Sequence, residues 1–202
     1  MPMRHGLTMG ELARWFIAAG GVTEGRGRMA ALAQRRGLPE GFVAARHAPA
    51  APPRPGTHQL GQLVGFDFGQ MRAETLAALA ELGPLRVTPW RMLLIEGLKK
   101  APDIAGVITK ADDPMLRVVA CTGAPGCLQA HAATRAVARA LAPGLLETLH
   151  VSGCAKGCAH PSATKTTLTA TGQGYDLIRN GTAHDTPSLT GLTPQAIQDH
   201  LK

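Results

Sequence analysis

Aromatic residues are scarce in this chain: four Phe, two Trp and one Tyr make up 3% of its 202 residues. The basic stretch Arg26, Arg28, Arg35 and Arg36 therefore has no interleaved aromatics, and no reading motif accompanies it. A nucleic-acid partner is not expected, and a solvated helix face accounts for those arginines. Only four cysteines occur, too few for a disulfide scaffold, and all fall between residues 121 and 158. No segment approaches the ~18 uninterrupted apolar residues of a membrane span. The N-terminus also lacks the compact apolar core and cleavage site of a signal peptide. Trp15–Ala19 comes nearest, but Arg14 precedes it and Gly20-Gly21 follows. The expectation is a cytoplasmic protein with no membrane partner. Acidic residues are in the minority, 14 against 21 Lys and Arg, leaving a net charge of +7. That excess calls for an anionic partner without choosing among phosphate, lipid or polycarboxylate.

What is present is an Ala-rich globular composition, 45% hydrophobic with a mean hydropathy of +0.01. Ala48–Gly56 reads APAAPPRPG, with five Pro or Gly in nine residues, and predicts a stiff connector. Before it lie two expected helices, Met9–Ala19 capped by Thr8 and Arg28–Arg36 closed by Gly37. After it, strand Leu60–Phe66, helix Met71–Leu82 and strands Leu85–Thr88 and Met92–Ile95 follow in order. Further helices are expected at Ala101–Lys110, Gln129–Ala142 and Pro194–Leu201. Apolar runs Met115–Ala120 and Leu145–Val151 lead into the cysteines, and Ser162–Ala170 with Tyr175–Arg179 reads as a hairpin. The expected fold class is α+β, in three parts: residues 1–57 as a helical segment with its linker, 58–112 as a half-domain, and 113–202 as the cysteine-bearing domain.

The chemistry lies in Cys121-Thr-Gly-Ala-Pro-Gly-Cys127 and, 26 residues later, Cys154-Ala-Lys-Gly-Cys158. Structural zinc favours ligand pairs two to four residues apart, and the first pair is wider than that. A cubane iron–sulfur cluster spreads four thiolates over four irons and accepts longer loops. Gly123, Gly126, Gly153 and Gly157 would let backbone N–H groups approach sulfur. The N-terminal end of the Gln129 helix would face the cluster with its positive pole. Spacing and glycine placement favour iron–sulfur; zinc, a disulfide and buried unligated thiols are the alternatives. Arg91, in the loop between two strands, competes with the reading of a solvated arginine. Lys156, between two cysteines, competes with that of an exposed loop lysine. His131, His150 and His160 lie near the cysteines and are read as packing or hydrogen-bonded residues rather than ligands.

These two cysteine pairs resemble the iron–sulfur signature of the sirohaem sulfite/nitrite reductase superfamily. The resemblance runs from about residue 58 to 185 and includes Gly65-Phe-Asp-Phe-Gly-Gln70 and Leu85–Ile95. Within the superfamily, Thr88-Pro-Trp-Arg91, Cys121–Cys127 and His150–Pro161 are most similar to the precorrin-3B synthase family; Ala124 and Lys156 stand where sulfite reductases tend to have Asn. The resemblance implies a ferredoxin-like half-domain followed by a [4Fe-4S] α/β domain. Cys121, Cys127, Cys154 and Cys158 would be the cluster ligands, and Arg91 and Lys156 substrate contacts. It implies a cobalamin-pathway oxidoreductase that hydroxylates precorrin-3A to precorrin-3B with dioxygen. An electron donor and a mononuclear non-haem iron, its ligands unassigned, would take part, and a polycarboxylate tetrapyrrole would account for the positive charge. A sirohaem-dependent reductase half, in which Cys158 would bridge the cluster to sirohaem, is one alternative. A non-catalytic iron–sulfur or zinc module is another. Superfamily members usually have two related halves, so the expectation is either a truncated product or a chain that works with a separate N-terminal partner half.

Overall fold

The computed structural model describes residues 8–39 and 51–201. Two compact units are present, dividing at Ala51 and Pro52. In the first, helix α1 (Met9–Ala18) starts at a capping box in which Thr8 and Glu11 satisfy each other's backbone N–H. A two-residue hairpin, β1 (Val22–Thr23) with β2 (Arg26–Gly27), leads to helix α2 (Met29–Arg36), which Gly37 ends at φ +73°. Both helices lie where the sequence places them. The hairpin is too short for a periodic signal.

The second unit holds two sheets. Strands β3 (Gly56–His58), β4 (Gly61–Gly65), β5 (Leu85–Val87) and β6 (Met92–Glu96) form an antiparallel sheet in the order β3-β4-β6-β5. Helix α3 (Ala73–Ala80) supplies Leu79, fully buried with Val64, Phe66, Leu93 and Ile95. This α+β arrangement matches the expected fold class. Two expectations fail here. The connector is not free of structure to its end: Pro55 is buried, Arg54 donates to the Ala111 carbonyl at 3.2 Å, and Gly56 already begins β3. Its residues 48–50 lie outside the described ones. Ala101–Lys110 is not helical, because Ile108 pairs with Gly65 through both backbone groups (2.8 and 2.9 Å). Pro102 and Gly106 already disfavour the helix.

The other sheet runs β11-β10-β9-β8-β7. Its members are β7 (Val118–Ala120), β8 (Leu149–Ser152), β9 (Thr164–Thr171), β10 (Gly174–Gly181) and β11 (Leu189–Leu192). The expected hairpin is β9–β10, and β7, β8 and β9 are parallel. Parallel strands are covered on both faces, and every residue of β8 is buried. Side chains alternate across a strand. Leu149 and Val151 point into a core completed by Leu168, by Ala138 and Leu141 of helix α4 (Arg135–Leu141) and by Ile197 of helix α5 (Pro194–Leu201). His150 and Ser152 occupy the opposite face.

Helix α4 begins six residues later than expected. Residues 129–134 hold Ala-rich sequence, but their backbone is tied elsewhere. His131 N–H donates to the Gly153 carbonyl (2.8 Å) and the Ala132 carbonyl accepts from Ala124 (3.0 Å). Tertiary bonds override helix propensity here, and the helix starts eight residues after Cys127 rather than two.

Leu168 is fully buried at the centre of β9. Leu168→Ala is expected to lower unfolding free energy by about 2–5 kcal/mol, read from urea denaturation.

Candidate functional site

The parallel strands β7 and β8 end side by side, and each runs directly into a cysteine. Cys121 follows β7, with its N–H on the Val151 carbonyl (3.3 Å), and Cys154 follows β8 two residues beyond Ser152. Carboxyl ends of parallel strands are the usual place for a ligand site in α/β sheets. The two loops are laced together across this end. Gly153 N–H donates to Cys121 Sγ (3.2 Å), Thr134, fully buried, donates to the Cys121 carbonyl (2.6 Å), and Ser152 Oγ donates to the Cys154 carbonyl (2.7 Å). Tyr175, buried on β10, buttresses the same loop through the Ala133 carbonyl (2.5 Å), and burial pushes its phenol up.

Two glycines are required by this geometry. A Cβ on Gly153 would lie 2.6 Å from Ala130 Cβ and 3.4 Å from Cys121 Sγ, and Gly157 turns at φ +60° between Cys154 and Cys158. All four cysteines are free thiols; three are half-buried and Cys158 is exposed. Among the described residues, no three His, Cys, Asp or Glu side chains converge on one ion-sized point. Two cysteine pairs on interlocked loops, with a backbone N–H on one sulfur, are a donor set of the kind that holds an iron–sulfur cluster.

A second feature is a cleft of about 570 Å³ lined by Arg54, Phe68, Trp90, Arg91, Met115 and Arg117, among others. Its wall passes along Val118 and Val119, two residues short of Cys121. Arg91 adopts φ +60° and Phe68 φ +55°, a left-handed conformation that costs a non-glycine residue roughly 1–2 kcal/mol. Such strain gathers where the surrounding structure imposes a functional shape. Asp67 pairs with Arg139 (2.6 Å), and both Arg139 and Arg135 lie over the Phe68 ring, 5.1 and 5.8 Å from its centroid. These contacts dock the turn 67–69 onto α4 and present Phe68 to the cleft.

The cleft thus brings Arg91 together with Arg54 and Arg117, which sequence reasoning missed. Arg54 lies in the proline connector and Arg117 interrupts the apolar run before Cys121, an interruption that was the available signal. Arg117 donates to the Leu145 carbonyl (3.0 Å), while its Nε is buried without a partner. Lys156 is exposed on the cysteine loop and does not line the cleft, and neither do the four cysteines. Of the histidines, His131 is exposed and His160 half-buried, whereas His150 is fully buried.

Burial first, and neighbouring His160 second, pull the His150 imidazole from the ordinary 6.5 down to about 4. The unfolded chain therefore takes up this proton at higher pH than the folded one. Stability of the metal-free chain is expected to fall as pH drops from about 6.5 toward 4. Urea midpoints measured across that window check this, and His150→Gln should flatten the dependence.

No family model matches the chain. The solved structure of the Mycobacterium tuberculosis NirA protein aligns with 93% of this chain and 42% of its own, at 20% identity and a TM-score of 0.49. A curated Sinorhizobium protein named precorrin-3B synthase is 34% identical over 168 residues, 70% of this chain. The chain is a homologue of that precorrin-3B synthase and spans 36% of its length.

Proposed function

We propose that this chain is the cysteine-bearing part of an iron–sulfur oxidoreductase of cobalamin biosynthesis, acting on precorrin-3A to give precorrin-3B. The observation that carries the reading is the pair of cysteine loops at the ends of β7 and β8, with Gly153 N–H on Cys121 Sγ. Cys121, Cys127, Cys154 and Cys158 would hold a [4Fe-4S] cluster. Bound there, such a cluster supplies electrons one at a time.

The chain's own residues do the rest. Ser152, Thr134 and Gly153 tie down the backbone of the two cysteine loops. The cleft is the substrate-facing surface. A tetrapyrrole at this stage carries several carboxylates, and Arg54 and Arg91 offer guanidinium groups suited to them, while Arg117, bonded to the Asp112 and Leu145 carbonyls, adds positive charge to the wall. Phe68, Trp90 and Met115 supply apolar surface for the macrocycle. Lys156, on the cysteine loop, would meet an anionic edge of the substrate. In the overall reaction one atom of dioxygen enters the macrocycle and the other leaves as water, consuming two electrons and two protons; an electron donor supplies the electrons. The mononuclear non-haem iron of that family has no three-residue ligand set among the described residues. The 64% of the relative's length outside the match is the natural source of its ligands and of a second half enclosing the substrate.

Anaerobic purification followed by iron and sulfide analysis tests the first step. About four iron and four labile sulfide per chain are expected, and stoichiometric zinc without sulfide overturns the reading. Arg91→Ala, titrated with a precorrin-3A-type tetrapyrrole polycarboxylate alongside the unsubstituted chain, should lose about 1.5–3 kcal/mol of binding, about ten- to hundredfold in Kd.

A further inference from the structure

Buried polar side chains on the His150 face of the mixed sheet are held by neighbouring loops. Ser152 donates to the Cys154 carbonyl (2.7 Å), Thr167 to the Gly181 carbonyl (2.7 Å) and Thr169 to the Ala183 carbonyl (2.9 Å). His150 stands in this row, directly across from Thr167, and differs from its neighbours. It is fully buried, and neither ring nitrogen has a hydrogen-bond partner.

The ring lies against the loop that carries the second cysteine pair. A Cβ on Gly157, the residue just before Cys158, would be 3.8 Å from His150 Cε1. His160, two residues past Cys158, meets the ring edge-on with centroids 5.8 Å apart. Burial keeps the imidazole neutral, so it carries one N–H donor and one acceptor. Leaving a buried donor unpaired is disfavoured strongly enough that such groups are nearly always engaged.

We propose that His150 is a positioning residue that donates a hydrogen bond to the iron–sulfur group held by the Cys154–Cys158 loop and thereby raises its reduction potential. This rests on the cluster assignment of the four cysteines made above. Thiolate and sulfide sulfur are acceptors, and they gain negative charge on reduction. A donor that reaches them stabilises the reduced state more than the oxidised one. Direct ligation of an ion by His150 is disfavoured by the donor set, since among the described residues no third His, Cys, Asp or Glu joins the two histidines.

The test uses the full chain, reconstituted anaerobically with iron and sulfide and labelled with 15N-histidine. In the reduced protein, pulsed electron paramagnetic resonance should show a weak 15N coupling that survives in His160→Gln and vanishes in His150→Gln. The midpoint potential should move to more negative values in His150→Leu and recover at least in part in His150→Gln, which keeps an N–H donor. A strong coupling typical of a coordinated imidazole overturns the proposal. So does the absence of any coupling, or a His150→Leu potential equal to that of the unsubstituted chain. If His150→Leu fails to fold, the coupling and its response to His150→Gln still decide the matter. Failure of the cysteine assignment would show separately, as an unsubstituted chain that takes up no labile sulfide.

Discussion

The parallel pairing of β7 with β8 is the constraint on which the rest of the cysteine-bearing region depends. Val118, Val119 and Ala120 lie in register with Leu149, His150 and Val151, so two cysteines 33 positions apart in sequence emerge at the same sheet end. Once that is set, the 121–134 loop must close over the 152–160 loop. The bonds from Gly153 to Cys121 Sγ and from His131 to the Gly153 carbonyl do so. The late start of α4 follows from this closure. Its first expected turns are used to fasten the loops, and the helix forms only where the chain is released at Arg135.

The cysteine pairs stand out in the sequence because they have unusual local requirements. Two cysteine pairs framed by glycines admit few packing explanations, and the β9–β10 hairpin and both N-terminal helices carry period and cap signals that act within a few residues. The features that escaped depend on distant partners. Ile108 forgoes a helix to pair with Gly65, a residue 43 positions earlier. Strand β3 exists because Gly56–His58 can pair with β4, and β11 because Leu189–Leu192 can pair with β10. Arg54 and Arg117 acquire a common purpose only when the proline segment folds back beside residues 111–119. Register and long-range pairing of this sort leave no periodic trace.

Net charge proves a blunt guide once the arginines are placed. Arg139 is paired with Asp67 and, with Arg135, lies over Phe68, while Arg86 is paired with Glu96. These residues hold the fold together. In the second unit, Arg54, Arg91 and Arg117 line one cleft with Asp113 as an acidic neighbour. Asp113 already accepts the Met115 N–H at 2.8 Å, capping the short turn before β7. Its oxygen is thereby drawn to the backbone.

The scarcity of aromatics acquires a practical meaning from where the two tryptophans fall. Trp15 belongs to the first compact unit, and Trp90 stands on the wall of the cleft in the second, 44% exposed. With Trp15 replaced by Phe and excitation at wavelengths that tyrosine does not absorb, the emission of the chain would come from Trp90 on the cleft wall. A conjugated macrocycle settling there absorbs in the range where indole emits, so occupancy would register as energy transfer from Trp90. The fold thus carries a built-in optical gauge of whatever enters beside Arg91.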